Sequence, residues 1–206
     1  LAVNKAYTVQ EPESLAMIDL ENMTLYSQEG ITDSAVVDMD WHPNGDYLAT
    51  TNRDEIPVIL RKEDLSTKNR LTGVHNVEVK CIDYRPDGQY LITGDESGRY
   101  AIWDNNGSAV SEREFGQGLV DCKFSTDGQN YILVGENGLI KSRSFTGSLD
   151  NEVTIQGAQK AIFSQVGNRI HIIVDSPDYK GVNTLDFETF NLEVKTSFFH
   201  RVNDVE

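Results

Sequence analysis

Carboxylates are the groups in this sequence best suited to chemistry. Asp38, Asp40, Asp83 and Asp121 sit in runs of apolar and β-branched residues, where clustered acids could hold a divalent ion or act as acid and base. His42, His75, His171 and His200 are dispersed without HxxxH spacing, so no histidine metal site is indicated. Gly94-Asp95-Glu96-Ser97-Gly98 has its serine one place too late for a nucleophile elbow. Gly116-Gln117-Gly118 lacks the third glycine and the helix of a dinucleotide turn. Asp104-Asn105-Asn106-Gly107 opens like a calcium loop, but Ala109 stands where that loop needs Gly and Phe115 where it needs Glu. No motif calls for a cofactor. Enzyme chemistry reduces to one alternative, a hydrolase or lactonase using strand carboxylates and a divalent ion. A second set of acids lies in short turns: Glu11, Glu13, Asp54, Glu55, Asp95, Glu96, Glu136, Asp175 and Asp178. Only Arg53 and Lys180 oppose them there, and Tyr179 adds an aromatic of the kind enriched at interface centres.

What brings these turns together is a repeat. Trp41-His-Pro-Asn-Gly45, Tyr84-Arg-Pro-Asp-Gly88, Phe124-Ser-Thr-Asp-Gly128 and Phe163-Ser-Gln-Val-Gly167 are copies of one phrase, with aromatics 43, 40 and 39 residues apart. Each copy is followed by short β-branched or aromatic runs bounded by turn residues, and no segment carries a sustained helical stripe. A period near forty made of short strands predicts an all-β β-propeller of four-stranded antiparallel blades. The clearest copy reads Val79–Tyr84, Tyr90–Thr93, Tyr100–Trp103 and Val110–Phe115 as strands a to d. The blades fall at about 1–30, 31–73, 74–116, 117–156 and 157–206, within a single unit, four of them complete and the first lacking strand a. The segment 199–205 resembles 73–79, the approach to a strand a. Either it closes a five-bladed ring, or both ends lie inside a larger ring of seven blades. The missing initiator Met favours the second reading.

In a propeller the b–c turns emerge on one face, so the nine turn acids are expected to form a negative rim. The chain as a whole carries 33 acids against 18 Lys and Arg, a net charge of −15. That balance argues against direct nucleic-acid binding, which needs a basic patch, and favours a protein partner with a basic surface. No apolar run approaches the ~20 residues of a membrane helix, and no signal peptide is visible. Cys81 lies three residues before its aromatic and Cys122 two before, offsets that put them on opposite strand faces, so no disulfide is expected. Two free thiols suit an intracellular setting, cytoplasmic or nuclear.

Tyr84-Arg-Pro-Asp-Gly-Gln-Tyr-Leu-Ile-Thr-Gly, followed by Ala101-Ile-Trp-Asp104, resembles a blade of the WD-repeat family. Ile18-Asp19 and Leu185-Asp186 keep an apolar-Asp form of the Trp-Asp pair, whereas Leu60-Arg61 and Arg143-Ser144 lose it. The resemblance implies a buried hydrogen-bonded set, of which His75, Thr93 and Trp103 match three members. Ser97 falls at the expected Asp position, so the set is expected to be incomplete. It also implies a non-catalytic scaffold or complex subunit that binds other proteins through its faces.

Overall fold

The computed structural model describes residues 2–5, 14–19, 23–29, 35–165 and 168–197. Every regular element among them is a strand, and consecutive strands pair antiparallel as simple meanders. Strands β1 (Ala2–Lys5), β2 (Ser14–Asp19) and β3 (Thr24–Glu29) make a three-stranded sheet, the first blade. The second blade holds β4 (Val36–Trp41), β5 (Tyr47–Asn52), β6 (Val58–Arg61) and β7 (Thr67–Arg70). The third holds β8 (Val79–Tyr84), β9 (Tyr90–Asp95), β10 (Arg99–Asp104) and β11 (Ala109–Glu114). The fourth holds β12 (Leu119–Phe124), β13 (Asn130–Gly135), β14 (Leu139–Ser144) and β15 (Leu149–Thr154). The fifth holds β16 (Ala158–Phe163), β17 (Arg169–Asp175), β18 (Lys180–Asp186) and β19 (Leu192–Ser197). The all-β architecture of four-stranded antiparallel blades is therefore as the period requires. The 199–205 segment lies outside the described residues.

The turn after each inner strand explains its Pro/Asp-Gly signature. Gly45, Gly88 and Gly128 have φ of 77°, 69° and 68°, a conformation glycine adopts without a Cβ clash. Their N–H groups return to the carbonyls of His42, Arg85 and Ser125, each at 2.8 Å. A bulge recurs near the start of each of the four inner strands, at Val36/Asp38, Val79/Cys81, Leu119/Asp121 and Ala158/Lys160. One extra residue at the same place in each strand bends it and raises its twist, which lets the strands fan around an axis.

The core is the set of seams between blades. Ala49, Ile59, Leu71, Ile82, Leu91, Ala101 and Trp103 fill the seam between the second and third blades. Cys81, Ile92, Tyr100, Leu119, Phe124 and Leu133 fill the next. Ile132, Val134, Ile140, Ala161, Ile170 and Ile172 fill the one after that. Blades buried on both faces lose the alternation of a one-sided sheet, and β9 and β13 bury almost every residue.

This stacking overturns the expectation for the cysteines. Cys81 and Cys122 are joined by a disulfide, with Cα atoms 5.7 Å apart and both side chains fully buried. Opposite strand faces are what the bond needs here, because the two residues belong to neighbouring blades. The forward face of one inner strand looks at the rear face of the next.

Candidate interaction surface

The rim residues divide into three groups. Glu55, Glu96, Glu136, Asp175 and Asp178 are exposed, and Asp54 is half-buried and accepts a hydrogen bond from Asn52 Nδ2 at 2.8 Å. Lys80 bridges Glu78 at 2.8 Å and Glu96 at 3.6 Å, and Lys180 pairs with Asp175. Among the described residues Glu55, Glu136 and Asp178 carry no ion pair. Glu96 and Glu136 both approach Gly118, where an added Cβ would lie 2.5 Å from the Glu96 carbonyl oxygen and 2.9 Å from Glu136 Oε2. The b–c turns of the third and fourth blades thus both border Gly118. Glu11 and Glu13 lie outside the described residues.

Asp95 forms the second group and is a correction. It is fully buried, so it offers nothing to a partner. Its Oδ2 takes His75 Nδ1 at 2.7 Å, and its Oδ1 takes the Ser97 N–H, the Ser97 hydroxyl and the Arg99 N–H at 2.9, 2.7 and 3.0 Å. His75 Nε2 meets Thr93 Oγ1 at 2.7 Å, and Trp103 Nε1 donates to the same oxygen at 2.8 Å. A neutral imidazole with its proton on Nδ1 satisfies each of these side-chain polar atoms. The buried set expected to be incomplete is therefore complete, with Asp95 rather than residue 97 as its acid. Burial alone would raise the Asp95 pKa, but the His75 and Ser97 hydrogen bonds hold it below the usual carboxylate range.

Tyr179 is the third case. It is half-buried, its hydroxyl reaches the carbonyls of Val182 at 3.2 Å and Thr196 at 2.9 Å, and Lys195 Nζ sits 4.0 Å from its ring centroid. These contacts fasten it to its own blade.

The strand carboxylates do something the sequence did not reveal. Asp38 Oδ2 accepts the Ile82 N–H at 3.1 Å, and Asp40 Oδ2 accepts the Tyr84 N–H at 2.7 Å. Asp83 Oδ2 accepts the Phe124 N–H and Asp121 Oδ2 the Ala161 N–H, both at 2.7 Å. In every case the third or fifth residue of one inner strand takes an N–H from the fourth or sixth residue of the next. An inner strand has an open edge toward the axis, and these rungs satisfy its N–H groups. Aligning the inner strands by column would have revealed the spacing, but not the atom each acid meets.

Lys123 Nζ lies 2.9 Å from Asp83 Oδ1. Burial pushes Asp83 up to about 7 and Asp121 up to about 6 despite the opposing pull of Lys123, and it raises Asp40 as well. Burial disfavours the Lys123 ammonium, but Asp83 and Asp121 outweigh it and keep the lysine charged. A cavity of about 390 Å³ lined by Asp40, Asp83, Tyr84, Lys123, Phe124 and Phe163 opens along these inner strands. Both Asp83 oxygens are engaged, and no group of three or more potential ligands is arranged around a metal position among the described residues. No helix among them is long and apolar enough to cross a membrane.

Comparison with known proteins agrees with the architecture. A family model described as WD domain, G-beta repeat, matches residues 23–56 and 67–104. The fly (Drosophila melanogaster) actin-interacting protein 1 is 31% identical over 98 residues, 46% of this chain and 16% of that protein. Human apoptotic protease-activating factor 1 is 27% identical over 161 residues, 73% of this chain and 12% of that protein. Target of rapamycin complex subunit LST8 of Rattus norvegicus is 26% identical over 153 residues, 69% of this chain and 45% of that protein. The chain thus spans less than half the length of these relatives. A chain from the mitotic checkpoint complex superposes with TM-score 0.78 and 18% identity, over 89% of this chain and 60% of that one. A chain of Kuenenia stuttgartiensis hydrazine synthase gives TM-score 0.73 and 16% identity, over 82% and 51%. At such identities the likeness is one of fold.

Proposed function

The chain belongs to the WD-repeat β-propeller family, and from that premise we propose that it is a non-catalytic subunit of a protein assembly that docks a basic partner on its acidic rim. The carrying observation is the row of exposed acids Glu55, Glu96, Glu136 and Asp178 on successive b–c turns, three of them without an ion pair among the described residues. Target of rapamycin complex subunit LST8 and the mitotic checkpoint complex chain, both parts of assemblies by name, support a subunit role. A non-catalytic role fits the axial carboxylates, each of which holds a backbone N–H of the next blade. The setting proposed is intracellular, cytoplasmic or nuclear.

A single exposed ion pair contributes only about 0–1 kcal/mol. The rim therefore acts collectively, through encounter rate and salt-sensitive affinity. The test is titration of a lysine-rich peptide onto the chain at low and high salt, alongside the Glu96→Lys, Glu136→Lys double variant. Affinity is expected to fall with salt and to fall again in the variant. Binding that responds to neither removes the rim from the reading.

A further inference from the structure

The inner-strand columns give the disulfide a meaning beyond its presence. Cys81 is the third residue of β8, the column that holds Asp38 in β4 and Asp121 in β12. Cys122 is the fourth residue of β12, the column of Ile82 and Ala161, whose N–H groups those two acids capture. At this one seam the carboxylate-to-amide rung is replaced by a sulfur–sulfur bond at the same height. The fifth-column rung, Asp83 to the Phe124 N–H, is retained there. The seam thus depends on oxidation state where its neighbours depend on hydrogen bonds.

We propose that Cys81 and Cys122 are a reversible redox site, a staple between the third and fourth blades that oxidation closes and a thiol reductant opens. Opening is two thiol–disulfide exchanges. A reductant thiolate attacks one sulfur and leaves a mixed disulfide, and a second reductant thiol releases it. In sum, the protein disulfide and two reductant thiols become two protein thiols and one reductant disulfide, with two electrons and two protons passing to the protein. Both cysteines are fully buried, so the attack waits for the blades to part. This rests on the fold and not on the rim, and it accommodates an intracellular setting, where disulfides that do form are usually transient and redox-sensing.

The experiment uses the full chain equilibrated with oxidised glutathione or with dithiothreitol, then unfolded in iodoacetamide and weighed. The expected result is no alkylated thiol after oxidation and two after reduction. The oxidised form should melt about 5–15 °C higher than the reduced form, as expected for a bond closing a loop of this size. Cys81→Ser should abolish that response. Cys81→Asp, which restores the carboxylate of the neighbouring seams, should melt above Cys81→Ser in dithiothreitol. Two alkylated thiols after oxidation would overturn the proposal, and so would equal melting of two forms whose masses show the bond closed and open.

Discussion

The third and fourth blades share one backbone plan and reach it by opposite chemistry. The third buries His75, Thr93, Asp95 and Trp103 as a satisfied polar set. At the matching places the fourth carries Phe115, Leu133, Gly135 and Arg143, and Phe115 and Leu133 belong to one apolar cluster. The exchange is coordinated. Phe115 lies where His75 does, and a Cβ at Gly135 would stand 2.6 Å from Phe115 Cε1 and 2.5 Å from Gln117 Nε2. The larger apolar ring thus requires the acid to be absent. A blade needs its volume filled, and either solution meets that need. Only the third blade's set also pairs its side-chain polar atoms, since Arg143 Nε in the fourth is buried without a hydrogen-bond partner among the described residues.

Trp103 and Arg143 mark the largest expected contrast. Trp103 is 1% exposed, and its indole N–H is held by Thr93. Trp103→Ala is expected to cost about 3–5 kcal/mol through cavity formation. Arg143→Ala should cost less than about 1 kcal/mol, since its Nη1 contact is a partly buried bond to the Gly147 carbonyl. Urea titration of both variants measures the difference, and equal losses would mean the two positions carry the same burden.

The next test moves one blade's solution into the other. His75→Phe alone leaves Asp95 buried without its main partner and should cost about 3–5 kcal/mol. Adding Asp95→Gly reproduces the fourth blade's arrangement and should recover part of that loss. A double-mutant cycle reads the coupling. If the two losses simply add, the matched exchange is an accident of sequence.

Much of this contrast was legible in the sequence, and what was not has a physical reason. The period follows from Trp41, Tyr84, Phe124 and Phe163, because an aromatic packed before the turn, buried at Tyr84 and Phe124 and half-buried at Trp41 and Phe163, recurs wherever the same blade recurs. Asp95 has the sequence context of a rim acid, because a turn acid looks alike whether it faces solvent or its own blade. Only His75, 20 residues away, decides which. The cysteine pairing escapes strand parity because parity orders the faces of one sheet, whereas this contact joins two. Tyr179 has an interface residue's composition, but hydrogen bonds to Val182 and Thr196 fix its hydroxyl at home.

Gly135 offers a smaller effect in the fourth blade. Gly135→Ala must displace both Phe115 and Gln117 by several tenths of an ångström. Overpacking of this kind costs about 1–3 kcal/mol. Gly135→Ala combined with Phe115→His should be milder, because the smaller ring vacates the space the new methyl needs. Thermal unfolding of the pair against the single variant checks this, and a worse double variant would show that Gln117, not Phe115, sets the limit.

The smallest effect concerns how the two blades hold their successors, the third through Cys81 and the fourth through Asp121. Asp121 Oδ2 takes the Ala161 N–H, while its buried Oδ1 has no hydrogen-bond partner among the described residues. Burial raises its pKa to about 6, above the value in an unfolded chain. A group raised on folding binds its proton more tightly in the folded state, so its contribution favours the fold at low pH and is lost as pH climbs through about 6. Between pH 8 and pH 5 that contribution amounts to about 1 kcal/mol. Asp121→Asn keeps an oxygen for the Ala161 N–H and removes the titration. The variant should therefore show a stability gain from pH 8 to pH 5 that is smaller than the wild type's by about this amount. Asp83, raised to about 7 by burial, still titrates in both proteins. Urea midpoints at the two pH values give the answer, and identical pH slopes would show that Asp121 exchanges no proton in this range.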